Sequence, residues 1–226
     1  MAKTKVIITE KQNNKKLPTG IRMLVRRACN AVLITEEFLD PAEVNVTFVD
    51  DDEIKMLADN DVKVVHNPNS NLKLASGHRF LYNEMRNKGV CIGLGTDGCS
   101  SSNNLDMIES MKMMSLLQKG WRHDPTALPA EETLKVASEN GAKILNIDSG
   151  KIEKGKLADI FLVDINTPAF TPFNNNTISN LVYAANGNNV DTVICDGRVI
   201  MENRRVAGEE EILQKVNELV SNLIKH

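Results

Sequence analysis

Asp97 is the first residue whose type and setting could support chemistry. It stands in the stretch Cys91–Asn104, "CIGLGTDGCSSSNN", where a short apolar run ends at the aspartate and the chain turns to glycine, serine and asparagine. A carboxylate at the end of a buried strand is expected to bind a metal, act as a base or start a helix. An aspartate before glycine is also typical of a plain turn. These residues alone leave all four roles open.

His66 is the second candidate. It ends the apolar run "VKVVH" and opens the segment "HNPNSNLKLASG", which is rich in turn-forming residues. Two consecutive parallel strands that both end in functional side chains are typical of the C-terminal face of a βα barrel, where active sites lie. A structural histidine with its hydrogen bonds satisfied is the alternative, and the sequence does not choose between them.

The surrounding pattern predicts the elements that position these two residues. Apolar runs separated by helical periodicity predict an α/β fold with a parallel sheet of βα units. A helix capped by Asn103 or Asn104 is expected after Asp97, with its methionines filling the core. After Gly150 the pattern changes to strands joined by an Asp196–Gly197 hairpin turn. The predicted strands are 5–10, 44–49, 62–66, 90–97, 158–165 and two within 190–206; the predicted helices are 20–33, 50–60, 81–88, 103–119, 129–145 and 209–225; residues 166–176 are predicted to be a loop.

The composition excludes several classes of protein. The 226 residues suffice for one large domain or two small ones, and a net charge of −3 gives no electrostatic footprint for nucleic acid. No apolar run approaches the roughly 20 residues that a membrane helix needs. The four cysteines include no Cys-x-x-Cys pair, which predicts reduced and mostly buried thiols in a cytoplasmic protein.

Several long motifs carry a family resemblance. The segments "HNPNSNLKLASG", "GLGTDGCSSSNNLDM", "SGKIEKGKLADIFLVD" and "VDTVICDGRVI" stand in the order found in the amidohydrolase superfamily. From about Val49 to the C-terminus the chain most closely resembles the deaminases of 5′-methylthioadenosine and S-adenosylhomocysteine. The resemblance implies a metal-dependent (β/α)₈ barrel, represented here by its last strands only, with part of a small β-sandwich domain. It also implies a purine nucleoside as substrate.

The resemblance assigns roles to both candidate residues. Asp97 matches the aspartate that closes the last barrel strand, ligates a catalytic zinc or iron and takes a proton from the metal-bound water. A divalent cation lowers the pKa of that water, and the resulting hydroxide would attack the purine carbon that bears the amino group, releasing ammonia. His66 matches the histidine of the "HNP" motif, which lines the pocket. Asp97 and His66 are thus the catalytic candidates, and Asp97 is the candidate metal ligand.

The chain departs from this family in its metal ligands. It contains no His-x-His and no His-x-x-Glu, and Asn45 stands where the sixth strand should end in a histidine. Catalytic zinc takes about three protein ligands, so Asp97 alone does not complete the site. The sequence therefore predicts an amidohydrolase fragment with little or no deamination by the isolated chain.

A second resemblance concerns residues 1–57. Their strand–helix–strand pattern and the segment "VDDDEI" resemble the start of the YbeY family, zinc endoribonucleases that mature ribosomal RNA, although that family's His-x₃-His-x₅-His motif is absent. Both resemblances overlap at residues 49–57. The hypothesis is a fusion in which a foreign β-α-β piece (1–57) precedes part of the barrel (58–150) and composite sandwich strands with a C-terminal helix (151–226).

Two alternatives to a deaminase fragment stay open at this stage. One is a non-catalytic fusion or interaction module, and the other is a YbeY-like RNA endoribonuclease, which would require a basic surface that the sequence does not show. Both the deaminase fragment and the interaction module would contain an open sheet that exposes backbone groups and apolar faces. We therefore expect a homo-oligomer formed through an exposed sheet edge.

Overall fold

The computed structural model describes residues 5–10, 43–48, 51–76, 79–173 and 175–224. The chain divides into two compact units, Met1–Asn60 and Asp61–His226. In the first unit, β1 (Lys5–Glu10) and β2 (Glu43–Phe48) are parallel and in register from Lys5 opposite Glu43 to Glu10 opposite Phe48. Helix α1 (Asp51–Asp59) follows. Both strands and this helix confirm the prediction, whereas the helix predicted over 20–33 lies outside the described residues.

The second unit begins with a parallel pair of strands followed by helices. Its elements are β3 (Lys63–His66), α2 (Pro68–Lys73), α3 (Tyr82–Asn87), β4 (Cys91–Leu94), α4 (Cys99–Ser102), α5 (Met107–Arg122), α6 (Ala130–Ala137), α7 (Glu139–Leu145), β5 (Ile160–Val163), α8 (Thr177–Tyr183), β6 (Val190–Cys195), β7 (Arg198–Glu202), β8 (Arg205–Val206) and α9 (Glu209–Ile224), with 3₁₀ turns at Pro168–Phe170 and Gly187–Asn189.

The core of this unit lies around β4. Helices α3, α5, α6 and α7 all contact this strand, whose Ile92 and Leu94 are buried. Met111 and Met114 of α5 are buried at 3% and 0% exposure, which confirms that these methionines fill the core. Beyond α7, β5 to β8 form an antiparallel sheet in the order β5-β6-β7-β8, with the predicted hairpin at Asp196 and Gly197.

The segment around α5 differs from the prediction in its cap. Asp106, not Asn103 or Asn104, is the N-cap of α5, because its Oδ1 accepts hydrogen bonds from the backbone N–H groups of Ile108 (2.8 Å) and Glu109 (3.1 Å). Asn103 instead ends the short helix α4 in a left-handed conformation at φ 59°. Asn104 accepts a hydrogen bond from the N–H of Asp106. Both asparagines therefore belong to the turn before the helix.

Two other segments were predicted wrongly. The helix expected over 129–145 breaks at Ser138, whose hydroxyl donates to the carbonyl of Leu134 at 2.8 Å and competes with the helical ladder. The turn-rich run after His66 contains the helix α2, with Pro68 in its first turn, where its missing N–H costs nothing. Helix α8 was not predicted. Cys99 and Cys195 are free but exposed, so the prediction of mostly buried thiols was wrong for them.

The described helices include none that is long and apolar enough to cross a membrane.

Candidate functional site

The parallel pairing of β3 and β4 brings the ends of two strands to one sheet edge. His66 lies opposite Leu94 in the register, and the N–H of Gly95 donates to the carbonyl of His66 at 3.0 Å, which extends the pairing by one residue. Asp97 follows two residues later. Because β3 and β4 run in the same direction, His66 and Asp97 lie at the same, C-terminal end of the strand pair.

Asp97 caps neither of the two helices that follow it. The N-cap of α4 is Gly98 and that of α5 is Asp106. The Oδ1 atom of Asp97 accepts a hydrogen bond from the neighbouring N–H of Gly98 at 2.7 Å. Asp97 is exposed and has a left-handed backbone at φ 62°, a conformation that aspartate adopts more readily than most residues. The helix-start interpretation of Asp97 is therefore wrong, and the structure shows an exposed carboxylate on the segment between β4 and α4.

His66 is buried and stacked. Only 4% of its surface is exposed, and its ring lies parallel to that of Phe80, with 4.1 Å between the ring centroids and an interplanar angle of 3°. Burial lowers the pKa of His66 to about 4, so the imidazole is neutral near pH 7. Among the residues that the structure describes, no group hydrogen-bonds to its Nδ1 atom. A buried nitrogen without a partner is costly and indicates either strain or a missing ligand atom.

Gly95 leaves room for the side chain of Asn67 at this end of the strand pair. A Cβ atom at this position would overlap Oδ1 of Asn67 and lie 3.1 Å from Cγ1 of Val65. Asn67, which follows His66, therefore lies against the backbone of the neighbouring strand. Both residues stand in the sequence motifs around His66 and Asp97, but the motifs do not predict this contact.

The described side chains do not form a hydrolytic metal centre. Across residues 53–76, 79–173 and 175–221, whose side chains the structure describes, no three His, Cys, Asp or Glu side chains are placed to hold one ion. Catalytic zinc takes about three protein ligands, and Asp97 offers a single carboxylate. The only other histidine with a described side chain, His123, is exposed at the C-terminal end of α5. These residues do not fit the metal implied by the family resemblance, and we derive no chemical step through it.

Two residues next to the site were not predicted from the sequence. Phe80 stacks on His66, and Gln118 of α5 donates from Nε2 to the carbonyl of Phe80 at 3.0 Å. One signal could have identified Gln118. It follows Met111 and Met114 at helical spacing, so it is a polar residue on the apolar face of a helix. Phe80 gives no comparable signal in the sequence.

Comparison with known proteins identifies the family. The family model described as "Amidohydrolase family" matches residues 15–200, more than half of the chain. The chain belongs to the amidohydrolase family. This confirms the first resemblance. The match also includes most of residues 1–57, and these comparisons give the second resemblance no support, so the fusion remains a hypothesis.

Relatives of this amidohydrolase include deaminases. The chain is 48% identical over 181 residues to a 5-methylthioadenosine/S-adenosylhomocysteine deaminase of Dictyoglomus thermophilum, covering 79% of this chain and 42% of that protein. It is 50% identical over 163 residues to a 5′-deoxyadenosine deaminase of Methanothermobacter thermautotrophicus, covering 72% and 37%. The chain thus spans about two fifths of the length of these relatives.

Solved structures support the fold. An adenosine deaminase from Xanthomonas campestris with bound zinc superposes with a TM-score of 0.74 at 31% identity, over 80% of this chain and 43% of that protein. Atrazine chlorohydrolase from Arthrobacter aurescens, complexed with zinc, superposes at 0.67 with 26% identity, over 76% and 39%. The α/β prediction and the resemblance to part of an amidohydrolase fold are confirmed.

Proposed function

We propose that this chain is part of an adenosine-type deaminase, and that it does not catalyse deamination alone. The observation that carries the proposal is the identity of 48% over 181 residues to a 5-methylthioadenosine/S-adenosylhomocysteine deaminase whose length the chain covers only to 42%. In this proposal Asp97 supplies one ligand of a zinc or iron ion whose imidazole ligands are lacking here. His66 lines the pocket for the purine nucleoside.

The finer architecture belongs to the same proposal. We assign β3 and β4 to the last strands of a (β/α)₈ barrel, and the antiparallel sheet β5–β8 to part of a small β-sandwich. Residues 1–57 would be a foreign piece, residues 58–150 part of the barrel, and residues 151–226 the sandwich strands with the C-terminal helix. We propose that the protein is cytoplasmic. The DNA sequence across codons 45–60 in an independent isolate tests the fusion. A continuous gene would support it, and an interrupted one would show that the chain is an artefact.

The first test uses the isolated chain. We expect metal analysis after expression with added zinc to give well below one zinc per chain, because about three ligands are needed for a tight site. Ammonia release from 5′-methylthioadenosine, S-adenosylhomocysteine and 5′-deoxyadenosine should not exceed the blank. Stoichiometric zinc together with turnover would contradict the claim that the chain is inactive alone.

The second test restores the missing part. The portion of the Dictyoglomus thermophilum relative without a counterpart here is joined to residues 49–226, and the hybrid is assayed with the same nucleosides. We expect turnover that Asp97→Asn reduces at least about a hundredfold, because a metal ligand is lost. The matched control is Asp196→Asn, at another exposed aspartate with a positive φ (48°). A folded hybrid without turnover would overturn the deaminase assignment.

No observation favours either alternative, the RNA endoribonuclease or the interaction module. The described residues hold no histidine cluster of the kind that an RNA endoribonuclease of the second family would need. An interaction module predicts no turnover in the hybrid, and the second test separates it from the deaminase part.

A further inference from the structure

Gln118 is a fully buried polar side chain between two parts of the fold. It lies on α5 with 0% of its surface exposed, among the apolar residues that pack on β4. Burying an amide is costly unless its groups are hydrogen-bonded. Its Nε2 atom donates to the backbone carbonyl of Phe80 at 3.0 Å, across 38 residues of sequence. This hydrogen bond therefore anchors Phe80, which lies in a loop, to helix α5.

The orientation of the Gln118 amide is defined by its two partners. Oε1 accepts a hydrogen bond from Nε of Arg122 at 3.4 Å, and Arg122 also forms an ion pair with Glu84 of α3. An arginine side chain can only donate and a carbonyl can only accept. A flipped amide would lose both bonds, so the NH₂ group of Gln118 must face Phe80.

Phe80 connects this amide to the candidate site. Its carbonyl also accepts the N–H of Tyr82 at 3.0 Å, at the start of α3. Tyr82 is itself anchored, since its hydroxyl donates to Glu132 of α6 at 2.8 Å. With its backbone held from α5 and α3, Phe80 places its ring flat against His66.

We propose that Gln118 is a positioning residue of the candidate site: by fixing Phe80 it confines the imidazole of His66 to one orientation at the edge of the β3–β4 pair. The inference rests on the proposed function only in taking this edge as the nucleoside pocket. The Nδ1 atom of His66, which has no hydrogen-bond partner among the described residues, is the atom whose direction matters. A hydrogen bond to a purine nitrogen or amino group requires a defined donor–acceptor direction, which a freely rotating ring would not offer.

The test is an NMR measurement on the whole chain with labelled histidine. A stacked phenyl ring shifts the ring protons of His66, and Phe80→Ala defines the displacement when that ring is removed. Gln118→Met keeps the shape of the side chain but removes both hydrogen bonds. We expect Gln118→Met to move the His66 signals by at least about half of the Phe80→Ala displacement. Unchanged signals in a folded Gln118→Met protein would overturn the proposal.

A matched control distinguishes positioning from general loosening. Ser115 is also fully buried on α5, and its hydroxyl donates to the carbonyl of Leu128 at 2.7 Å. We expect Ser115→Ala to lower stability without moving the His66 signals. If it moves them as much as Gln118→Met does, Gln118 has no special role and the proposal fails.

A second variant covers the case in which Gln118→Met does not fold. Gln118→Leu also removes both hydrogen bonds and buries no polar group, so we expect it to fold and still displace the His66 signals. Signals at their original positions in this variant would overturn the proposal. The experiment needs neither substrate nor metal. If the hybrid shows no turnover but the His66 signals are displaced, only the proposed function is contradicted. If the hybrid shows turnover but the signals do not move, only this inference is contradicted.

Discussion

At the level of single residues, His66 combines burial, stacking and a neutral ring. Its parallel contact with Phe80 replaces water on one face of the imidazole, and desolvation is the cause of its lowered pKa. A protonated ring would lose its hydration, and among the described residues no acidic side chain compensates for that loss. The residue therefore stabilises the fold only while it is uncharged.

This gives a pH dependence with a definite sign. The pKa of His66 falls from an ordinary value near 6.5 to about 4 in the folded state. Between these values the unfolded chain binds the proton more tightly, so stability that is complete above about pH 6.5 is lost as the pH falls toward 4. We expect the free energy of unfolding to drop by about 2 kcal/mol from pH 7 to pH 5.

Urea unfolding followed by the fluorescence of Trp121, the single tryptophan, measures this drop. His66→Gln should remove most of it, whereas His123→Gln at an exposed position should retain it. An equal drop in the wild type and in His66→Gln would show that another group titrates.

The close contact at Gly95 leads to a second prediction, which concerns the stability of the fold. A Cβ atom at this position overlaps the Asn67 side chain and crowds Val65. Gly95→Ala should therefore cost about 1–3 kcal/mol, as overpacking usually does. Gly98→Ala is the matched control, because nothing lies within 4 Å of its Cβ position and its φ of −73° suits alanine. Urea midpoints that are equal for the two variants would refute the close contact.

At the level of elements, periodicity predicted most strands and helices, and local side-chain bonds determined where they end. The strands β3 and β4 and the hairpin at Asp196 follow from apolar runs and turn residues. The break at Ser138 depends on one hydroxyl that bonds back to Leu134, and periodicity does not reveal it. The stacking of Phe80 on His66 was not predicted either, because it is a tertiary contact that local sequence patterns do not reveal.

Asp106 joins two elements, and its two roles can be separated. One carboxylate oxygen caps α5, while Oδ2 accepts the N–H of Gly187 at 2.7 Å, across 81 residues. Asp106→Ala should cost about 2 kcal/mol by removing both. Asp106→Ser keeps a capping oxygen but is too short to reach Gly187, so we expect roughly half that cost. Identical urea midpoints for the two variants would mean that the bond to Gly187 contributes nothing.

At the level of the whole molecule, large apolar side chains remain at the surface. On α9 they recur at helical spacing, and on the edge strand β5 Phe161 and Leu162 are 44% and 52% exposed. Among the described strands only β6 pairs with β5, so its other edge has no partner there. The exposed α9 residues are Ile212, Leu213, Val216, Leu219 and Val220.

An edge of this kind favours pairing with a second copy, because unpaired backbone groups and apolar side chains lie together. We expect the mass of the chain, measured by light scattering during size-exclusion chromatography, to rise with concentration. Leu162→Lys should shift it toward the monomer, since charge on an edge strand opposes pairing. Leu145→Lys adds the same charge at a site that is 70% exposed at the end of α7, and should leave the mass unchanged. If both variants reduce the mass equally, net charge rather than the β5 edge controls association, whereas an effect confined to Leu162→Lys places the contact on that edge.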